Sequence, residues 1–295
     1  MNADSAETCR PTSRWWGAAV WPLVLAVGLS ACTRPTGGEG QALLRRGDTA
    51  AVETRLTQAA EAHAAGHLSE AEWRQVYREF EGLDEPASQA LDRWLADDPG
   101  SYQARLLKGA ALLQQAWTVR GRDRAARLTA DQAGNSARLF RQADEQLSAA
   151  LSLDPQPLMA AFYLMDALGA GCQRERMRQL LDETRLYSPY GALIHNRYQS
   201  FIGSRWCGTH AEMRAFADAE RARGMPESGV LQLEAIEEDD RGQDWLDSRK
   251  PDQAAMHFKR ALDRARQIGG RFQSDWLTYA DSQRCQLPQL KSYCE

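Results

Sequence analysis

Four prolines divide the middle of this 295-residue chain at intervals that strongly constrain its fold. Pro155 and Pro189 are 34 residues apart, Pro189 and Pro226 are 37 apart, and the interval from Pro99 to Pro155 is 56. Each proline follows a segment of helical periodicity, and proline ends a helix because it has no backbone N–H to donate. A recurring unit of about 34 residues predicts a stack of two-helix hairpins. The longer interval predicts an insertion in the first unit, near 119–135.

The composition favours helix along the whole chain. Alanine, leucine, arginine, glutamine and glutamate are abundant, β-branched residues are scarce, and no strand-like alternation lasts. The predicted fold class is therefore all-α, with a right-handed solenoid of helix hairpins over 99–270. An N-terminal helical segment is expected over 41–98 and a C-terminal helix and tail over 271–295. Ser69 and Glu72 have the spacing of a capping box at one helix start.

Two units also resemble the tetratricopeptide repeat in their side chains. Its second helix has a small residue, a bulky residue and a second small residue before a closing proline. Here these residues are Ala143, Leu147, Ala150 and Pro155. In a later unit the frame runs from the first helix into the second, with Arg266 in place of the closing proline, and comprises Gly242, Trp245, Ala254, Phe258 and Ala261. The resemblance implies close helix contacts at the small residues and a concave surface that binds a partner segment.

A second resemblance covers about residues 42 to 270. The segment from Phe80 to Asp123 resembles a bacterial family, domain-of-unknown-function family 4034. The shared pattern consists of Trp94, Leu95, Pro99, Ser101, Ala104, Gly109, Ala116, Trp117, Arg120 and Gly121. This family implies no particular activity.

The first 32 residues have the pattern of an export signal. Arg10 and Arg14 precede an apolar stretch at 15–29, and this stretch is shorter than the roughly 20 residues of a membrane-spanning helix. The stretch ends in a segment that resembles the bacterial lipoprotein box, namely Leu29, Ser30, Ala31 and Cys32. A plain signal peptide or an uncleaved anchor is the alternative interpretation.

The lipoprotein resemblance implies an address as well as a modification. In that family the cysteine thiol receives the lipid and the peptide bond before it is cut. The resemblance thus predicts a signal peptide at 1–31, lipid on Cys32 and a flexible tether at 32–40. Thr33, in place of aspartate, implies sorting to the bacterial outer membrane, with the protein facing the periplasm. The membrane is then one predicted partner.

Four cysteines remain after the lipid-attachment residue, and an exported chain can form disulfides. Cys172 and Cys207 fall in equivalent turns of adjacent units, so stacking would bring them together. Cys285 and Cys294 lie close together at the C-terminus, where a bridge would hold the chain end. Free buried thiols are the alternative.

Several polar groups are candidate contact residues. A basic patch in the insertion, suited to lipid headgroups or an acidic partner, would comprise Arg120, Arg122, Arg124 and Arg127. An acidic run at 237–240 suits a cation or a basic partner, but a solvated helix start is the commoner reason for such a run and is the favoured interpretation. His63 and His67 are one helical turn apart, but Gly66 and the lack of a third ligand favour ordinary surface residues.

The remaining features concern catalysis. Six tryptophans are expected in the core or, alternatively, in a groove that stacks sugars or peptides: Trp73, Trp94, Trp117, Trp206, Trp245 and Trp276. No nucleophile elbow, phosphate loop or metal-ligand motif occurs, so no catalytic residue, metal or cofactor is predicted. The charge pattern also predicts no nucleic-acid partner.

Three functions fit these features. The first is a protein-interaction scaffold anchored in the envelope with a protein partner. The second is an envelope enzyme, or an accessory of one, acting on peptidoglycan or lipid; convergent His, Asp, Glu and Ser in the groove would favour it. The third is a periplasmic holdase or assembly factor, which exposed aromatic residues in the groove would favour.

Overall fold

The computed structural model describes residues 38–121, 124–268, 284–285 and 287–291, and across these ranges every regular element is helical. The fold class is all-α. Four helices form the N-terminal segment: α1 (Glu39–Arg45), α2 (Thr49–Ala64), α3 (Glu70–Arg78) and α4 (Glu85–Asp97). Eight follow: α5 (Tyr102–Arg120), α6 (Ala130–Leu151), α7 (Leu158–Ala170), α8 (Arg174–Thr184), α9 (Ala192–Phe201), α10 (His210–Ala222), α11 (Glu227–Asp247) and α12 (Pro251–Gln267).

Local hydrogen bonds explain where two of these helices begin. The predicted capping box forms at α3, where Ser69 Oγ accepts from the Glu72 backbone and the Glu72 carboxylate accepts from the Ser69 backbone. Thr129 and Gln132 make the same reciprocal pair at α6. Because of this second box, α6 starts at Ala130, inside the segment predicted as an insertion, which is therefore shorter than expected.

The eight later helices pack as consecutive hairpins. Partners within a hairpin contact each other: α5 with α6, α7 with α8, and α11 with α12. In the remaining hairpin, Tyr198 of α9 packs on Phe216 of α10 with ring centres 4.8 Å apart. The odd-numbered helices also touch in order, α5 with α7, α7 with α9 and α9 with α11. This ladder of neighbour contacts is typical of tandem helical units. We call α5, α7, α9 and α11 the inner row.

Small residues allow the two helices of a hairpin to approach closely. A Cβ on Gly242 would lie 2.4 Å from the Phe258 ring, and a Cβ on Gly109 would lie 2.4 Å from Leu147 Cγ. Phe258 and Leu147 are fully buried. The residues that resemble the tetratricopeptide frame therefore occupy helix contacts, as the sequence predicts.

Two adjacent hairpins are joined covalently. Cys172 lies between α7 and α8, Cys207 lies between α9 and α10, and a disulfide links them with a Cα–Cα distance of 5.5 Å. The predicted pairing is thus confirmed. Cys285 is also disulfide-bonded, and Cys294, its predicted partner, lies outside the described residues.

The N-terminal segment packs on the hairpins. Buried side chains from α1 through α11 form one hydrophobic cluster, from Leu44 to Ile236. The carboxylate of Glu70 in α3 accepts the backbone N–H of Leu193 in α9 at 2.8 Å. Burial raises the pKa of Glu70 despite that bond. As a result, α3 reaches past its own segment to the inner row.

The predicted signal and the lipid-attachment residue Cys32 lie outside the described residues. Within the part of the chain that the structure describes, no helix combines the length and apolarity needed to cross a membrane.

Candidate functional site

A polar cavity of about 570 Å³ lies against the inner row, and we call it the central cavity. All four inner-row helices contribute to it, and so do α3, the turn that follows α3 and the C-terminal tail. Its charged side chains are four arginines and four carboxylates, namely Arg74, Arg197, Arg205, Arg284, Glu81, Asp166, Asp239 and Asp240. The formal charges balance, so the cavity is polar without a net charge.

One wall combines the N-terminal segment with α7. Arg74 Nη2 lies 3.3 Å from Glu81 Oε1, and the Tyr163 hydroxyl donates to the same oxygen at 2.9 Å. Burial raises the pKa of Tyr163, so this phenol stays protonated and remains a donor. Arg74 Nε is buried and donates no hydrogen bond in the structure. The guanidinium therefore keeps unused donor capacity beside the cavity.

The cavity lining includes the ion pair of Asp166 and Arg197, in which one carboxylate oxygen has unused hydrogen-bonding capacity. Asp166 is 8% exposed, and its Oδ1 lies 2.9 Å from Arg197 Nε but accepts no hydrogen bond. Burial raises the pKa of Asp166, while the positive charge of Arg197 opposes that shift. Arg197 and Arg74 each place their guanidinium carbon 4.9 Å from the Phe162 ring centre. Other buried atoms of the chain also lack a hydrogen bond, such as Glu220 Oε2 and Glu237 Oε2, but Asp166 Oδ1 belongs to a residue that lines a cavity, where a ligand could reach it.

The acidic run at 237–240 lies within α11 and not at a solvated helix start, so that interpretation was wrong. Glu237 is fully buried, accepts from Arg241 at 2.9 Å and pairs with Arg214 at 2.8 Å. Glu238 contacts His257 Nδ1 at 2.7 Å. Successive helical residues point about 100° apart, so each carboxylate of the run meets a different neighbour.

The other half of the run faces the central cavity. Asp239 is held by Arg284 of the C-terminal tail, whose Nε and Nη2 donate to the carboxylate at 2.8 and 2.9 Å. Burial raises the pKa of Asp239, although Arg284 acts in the opposite direction. The Arg284 guanidinium also stacks 4.1 Å above the Phe258 ring centre. The tail thus supplies a wall of the cavity.

Beside the cavity, Asp240 belongs to a cluster with the geometry of a metal site. His210 Nε2 and one oxygen each of Asp240 and Asp244 lie within 4.8 Å of one another. Ser204 Oγ donates to both carboxylates, and Arg124 Nη2 pairs with Asp244 at 2.6 Å. These contacts account for the cluster without a cation, and the guanidinium opposes one. Ser204 and His210 each bond to Asp240 and not to each other, so they form no nucleophile–base pair.

The predicted arginine patch is not one exposed surface. Arg120 is buried at 8% exposure over the rings of Trp206 and Trp117, at 4.9 and 5.6 Å. Arg124 is ion-paired within the chain, to Asp244 and to Asp247. The structure therefore corrects this prediction, because a planar guanidinium stacks on aromatic rings and pairs with carboxylates that are remote in sequence.

Of the other two arginines in the predicted patch, the structure describes one. Arg127 is exposed at the 3₁₀ turn Ala125–Arg127, and Arg122 lies outside the described residues.

The tryptophans divide between the two predicted roles. Trp73 and Trp94 are buried in the core, whereas Trp117 and Trp206 line the central cavity with ring centres 5.5 Å apart. Trp245 packs against the small cluster around Phe258, and Trp276 lies outside the described residues.

The two histidines of the HAAGH segment do not act together. His63 stacks on Trp73 with ring centres 4.7 Å apart, and its Nδ1 contacts the carbonyl of Leu68 at 3.0 Å. His67 is exposed beyond the end of α2. These residues are local packing and surface groups.

No family model, curated protein or solved structure matches the chain. The resemblances to the tetratricopeptide repeat and to family 4034 rest on the residues quoted above. Function has to be argued from the central cavity, because a fold alone does not define one.

Proposed function

We propose that this chain is a lipid-anchored, periplasm-facing helical-repeat protein that binds a partner in its central cavity. The observation that carries the proposal is the Asp166–Arg197 pair in the cavity lining, where the carboxylate is buried and its Oδ1 accepts no hydrogen bond. The cavity's size is within the range of binding sites, at roughly 300–1,000 Å³. A protein segment is the partner that the scaffold hypothesis predicts.

The anchor is the second element of the proposal. Lipid on Cys32 would hold the cavity at the outer membrane, where local concentration makes even weak contacts effective. This part rests on the LSAC segment and its preceding apolar stretch. Labelling with a palmitate analogue tests it. Cys32→Ala should lose the label, whereas Cys9→Ala, which changes a residue of the predicted signal, should keep it. Label retained on Cys32→Ala would overturn the anchor.

Photo-crosslinking from inside the cavity tests the binding role. Gln114 lies exposed on α5 and lines the central cavity, and Gln89 lies exposed on α4 away from it. A photoreactive residue at 114 should capture a discrete partner in living cells, and the matched residue at 89 should not. Equal capture at both positions would show that the cavity is not the contact site.

An envelope enzyme, or an accessory of one, is the second candidate. The central cavity gathers Glu81, Asp166 and Asp239, and this convergence of carboxylates is the feature named above as favouring catalysis. The raised pKa of Asp166 and that of Asp239, both due to burial, are also common at acid–base sites. The binding role is preferred because, among the residues that the structure describes, the cavity lining holds no nucleophile paired with a base. The holdase hypothesis is less favoured, because the lining is charged.

A further inference from the structure

The Asp166–Arg197 pair indicates what kind of chemical group the central cavity accepts. The carboxylate has a buried oxygen that accepts no hydrogen bond. Arg197 approaches it at 2.9 Å without completing one and otherwise stacks on Phe162. An acceptor and a donor therefore stand side by side with unused capacity. A ligand group that donates and accepts at adjacent atoms would satisfy both at once, and an amide is such a group.

The charge balance of the cavity restricts the whole ligand. Four arginines face four carboxylates, and Asp239 is already held by two bonds from Arg284. A strongly anionic or cationic ligand would leave a buried charge uncompensated, which is unfavourable. The lining instead suits a neutral ligand with many hydrogen-bonding groups. Gln114 and Gln243 add amide side chains to the same lining.

Aromatic rings supply the remaining part of the site. Trp117, Trp206 and Phe201 line the cavity, and Trp206 packs edge to face with each of the other two. Such rings bury the apolar C–H faces of flat ligands, while the tryptophan N–H groups can still donate. A sugar ring combines an apolar C–H face with hydroxyl groups that donate and accept.

We propose that the central cavity binds a short glycan of N-acetylated amino sugars, with the acetamido group of one sugar on Asp166 and Arg197. The amide N–H donates to the Asp166 carboxylate, and the amide carbonyl accepts from the Arg197 guanidinium. The sugar hydroxyls meet the other polar side chains, and the ring faces pack on Trp117 and Trp206. This inference rests on the proposed function, because it requires the central cavity to be the ligand site.

Titration calorimetry on the purified full-length chain in detergent micelles tests the proposal with four probes. Chitotetraose carries the acetamido groups, and cellotetraose has the same linkage without them. Chitosan tetramer replaces them with ammonium groups, and N-acetyl-trialanine amide carries amides without sugar. Chitotetraose should bind at least about tenfold more tightly than the other three, because a site that pairs with a polar group rejects analogues lacking it.

Variants assign the contact to the predicted residues. Asp166→Asn and Arg197→Gln should each weaken chitotetraose binding at least about tenfold. Glu145→Gln, a matched change at an exposed residue of α6, should leave it unchanged. Thermal unfolding curves show whether each variant is folded, and Arg197→Lys serves as a conservative second change, with partial binding expected.

Each contrary result has a distinct meaning. Equal binding of cellotetraose would overturn the acetamido contact, and equal binding of the peptide would replace the glycan with a protein segment. Binding that is unaffected in folded Asp166→Asn would remove the site from this pair. If no glycan binds but position 114 still captures a protein, the glycan inference fails and the proposed function stands. If position 114 captures nothing as well, both fail.

Discussion

Two buried carboxylates in this molecule each have one oxygen without a hydrogen bond, Glu220 Oε2 and Asp166 Oδ1, but their pKa values shift in opposite directions. At the joint of α8, α9 and α10, Glu220 is 1% exposed and pairs with Arg185 and His195. Burial alone would raise the pKa of Glu220, but these two partners outweigh it, and the pKa lies below its usual range. In the central cavity, burial dominates and the pKa of Asp166 is raised. The neighbours of Glu220 therefore offset its burial and favour the charged carboxylate, whereas Arg197 and Arg74 do not offset the burial of Asp166.

The same contrast exists within α11. Glu234 accepts from Arg221 and Arg264 at 2.8 Å each, and although burial opposes ionisation, these bonds lower its pKa. Asp239, five residues later, faces the cavity and has a raised pKa. Within one helix, partner side chains therefore keep Glu234 charged, whereas burial favours the protonated form of Asp239.

The largest expected effect on stability comes from removing an ion pair at the joint of α8, α9 and α10. Arg185→Met removes the closest cation from buried Glu220 and leaves it with Arg223, whose Nε is 3.7 Å away, and with His195 at 3.5 Å. We expect the free energy of unfolding to fall by about 3 kcal/mol, the lower end of the range for breaking a buried ion pair. Urea unfolding measures it, and Arg93→Met, at an exposed position on α4, is the control. Equal losses of stability in both variants would mean that the Arg185–Glu220 ion pair does not stabilise the fold.

The joint should also respond to pH in a defined direction. The folded-state pKa of Glu220 lies below its unfolded value, so its contribution to stability is present above the unfolded pKa, near 4.5. That contribution is lost as the pH falls below this value and through the lower, folded pKa. Wild type should therefore lose stability in this acidic range more steeply than Glu220→Gln, as unfolding curves at stepped pH would reveal.

The disulfide provides the next largest effect. Because Cys172–Cys207 closes a loop of 35 residues between adjacent turns, Cys172→Ser/Cys207→Ser should lower the free energy of unfolding by about 3 kcal/mol. Chemical reduction of the wild-type disulfides should lower the free energy of unfolding by a similar amount, and loss of the Cys285 bridge adds to it. No change on either treatment would show that packing alone holds the two turns.

The smallest expected effect is a gain of stability, in Asp166→Asn, and it tests the contrast between Asp166 and Glu220 most directly. Asp166→Asn removes a buried carboxylate whose folded pKa is raised, so we expect a gain of roughly 0.5–2 kcal/mol at pH 7. The folded-state pKa of Asp166 is raised above its unfolded value. Its contribution to the free energy of unfolding is therefore most favourable below the unfolded pKa and is lost as the pH rises through the folded pKa. The gain should therefore shrink as the pH falls through the folded pKa, and it should be lost below the unfolded value of about 4. A destabilised Asp166→Asn at pH 7 would show that the pair serves stability.

Local patterns predicted the frame of the fold well. The Ser69 capping box and the Cys172–Cys207 pairing depend on residues close in sequence or on a regular repeat. The start of α6 shows the limit of this approach, because the Thr129–Gln132 box was present in the sequence and was overlooked.

The central cavity could not be predicted in this way. It joins Arg74 of α3, Asp166 of α7 and Arg284 of the tail, whose proximity depends on how the helices stack. The run at 237–240 looked like one acidic patch, yet the turn of α11 distributes its carboxylates among separate partners. Only Trp117 and Trp206 gave a signal, through the alternative of a stacking groove.

The covalent link between the two turns has a consequence for the order of events in a cell. Thiols stay reduced in the cytosol and pair in oxidising compartments. Before export, Cys172 and Cys207 would therefore be held near each other by side-chain packing alone, and the bond would form after the chain reaches the oxidising side. Under the proposed export, the disulfide would lock the two hairpins only at the destination, and a chain kept in a reducing compartment would lack that lock.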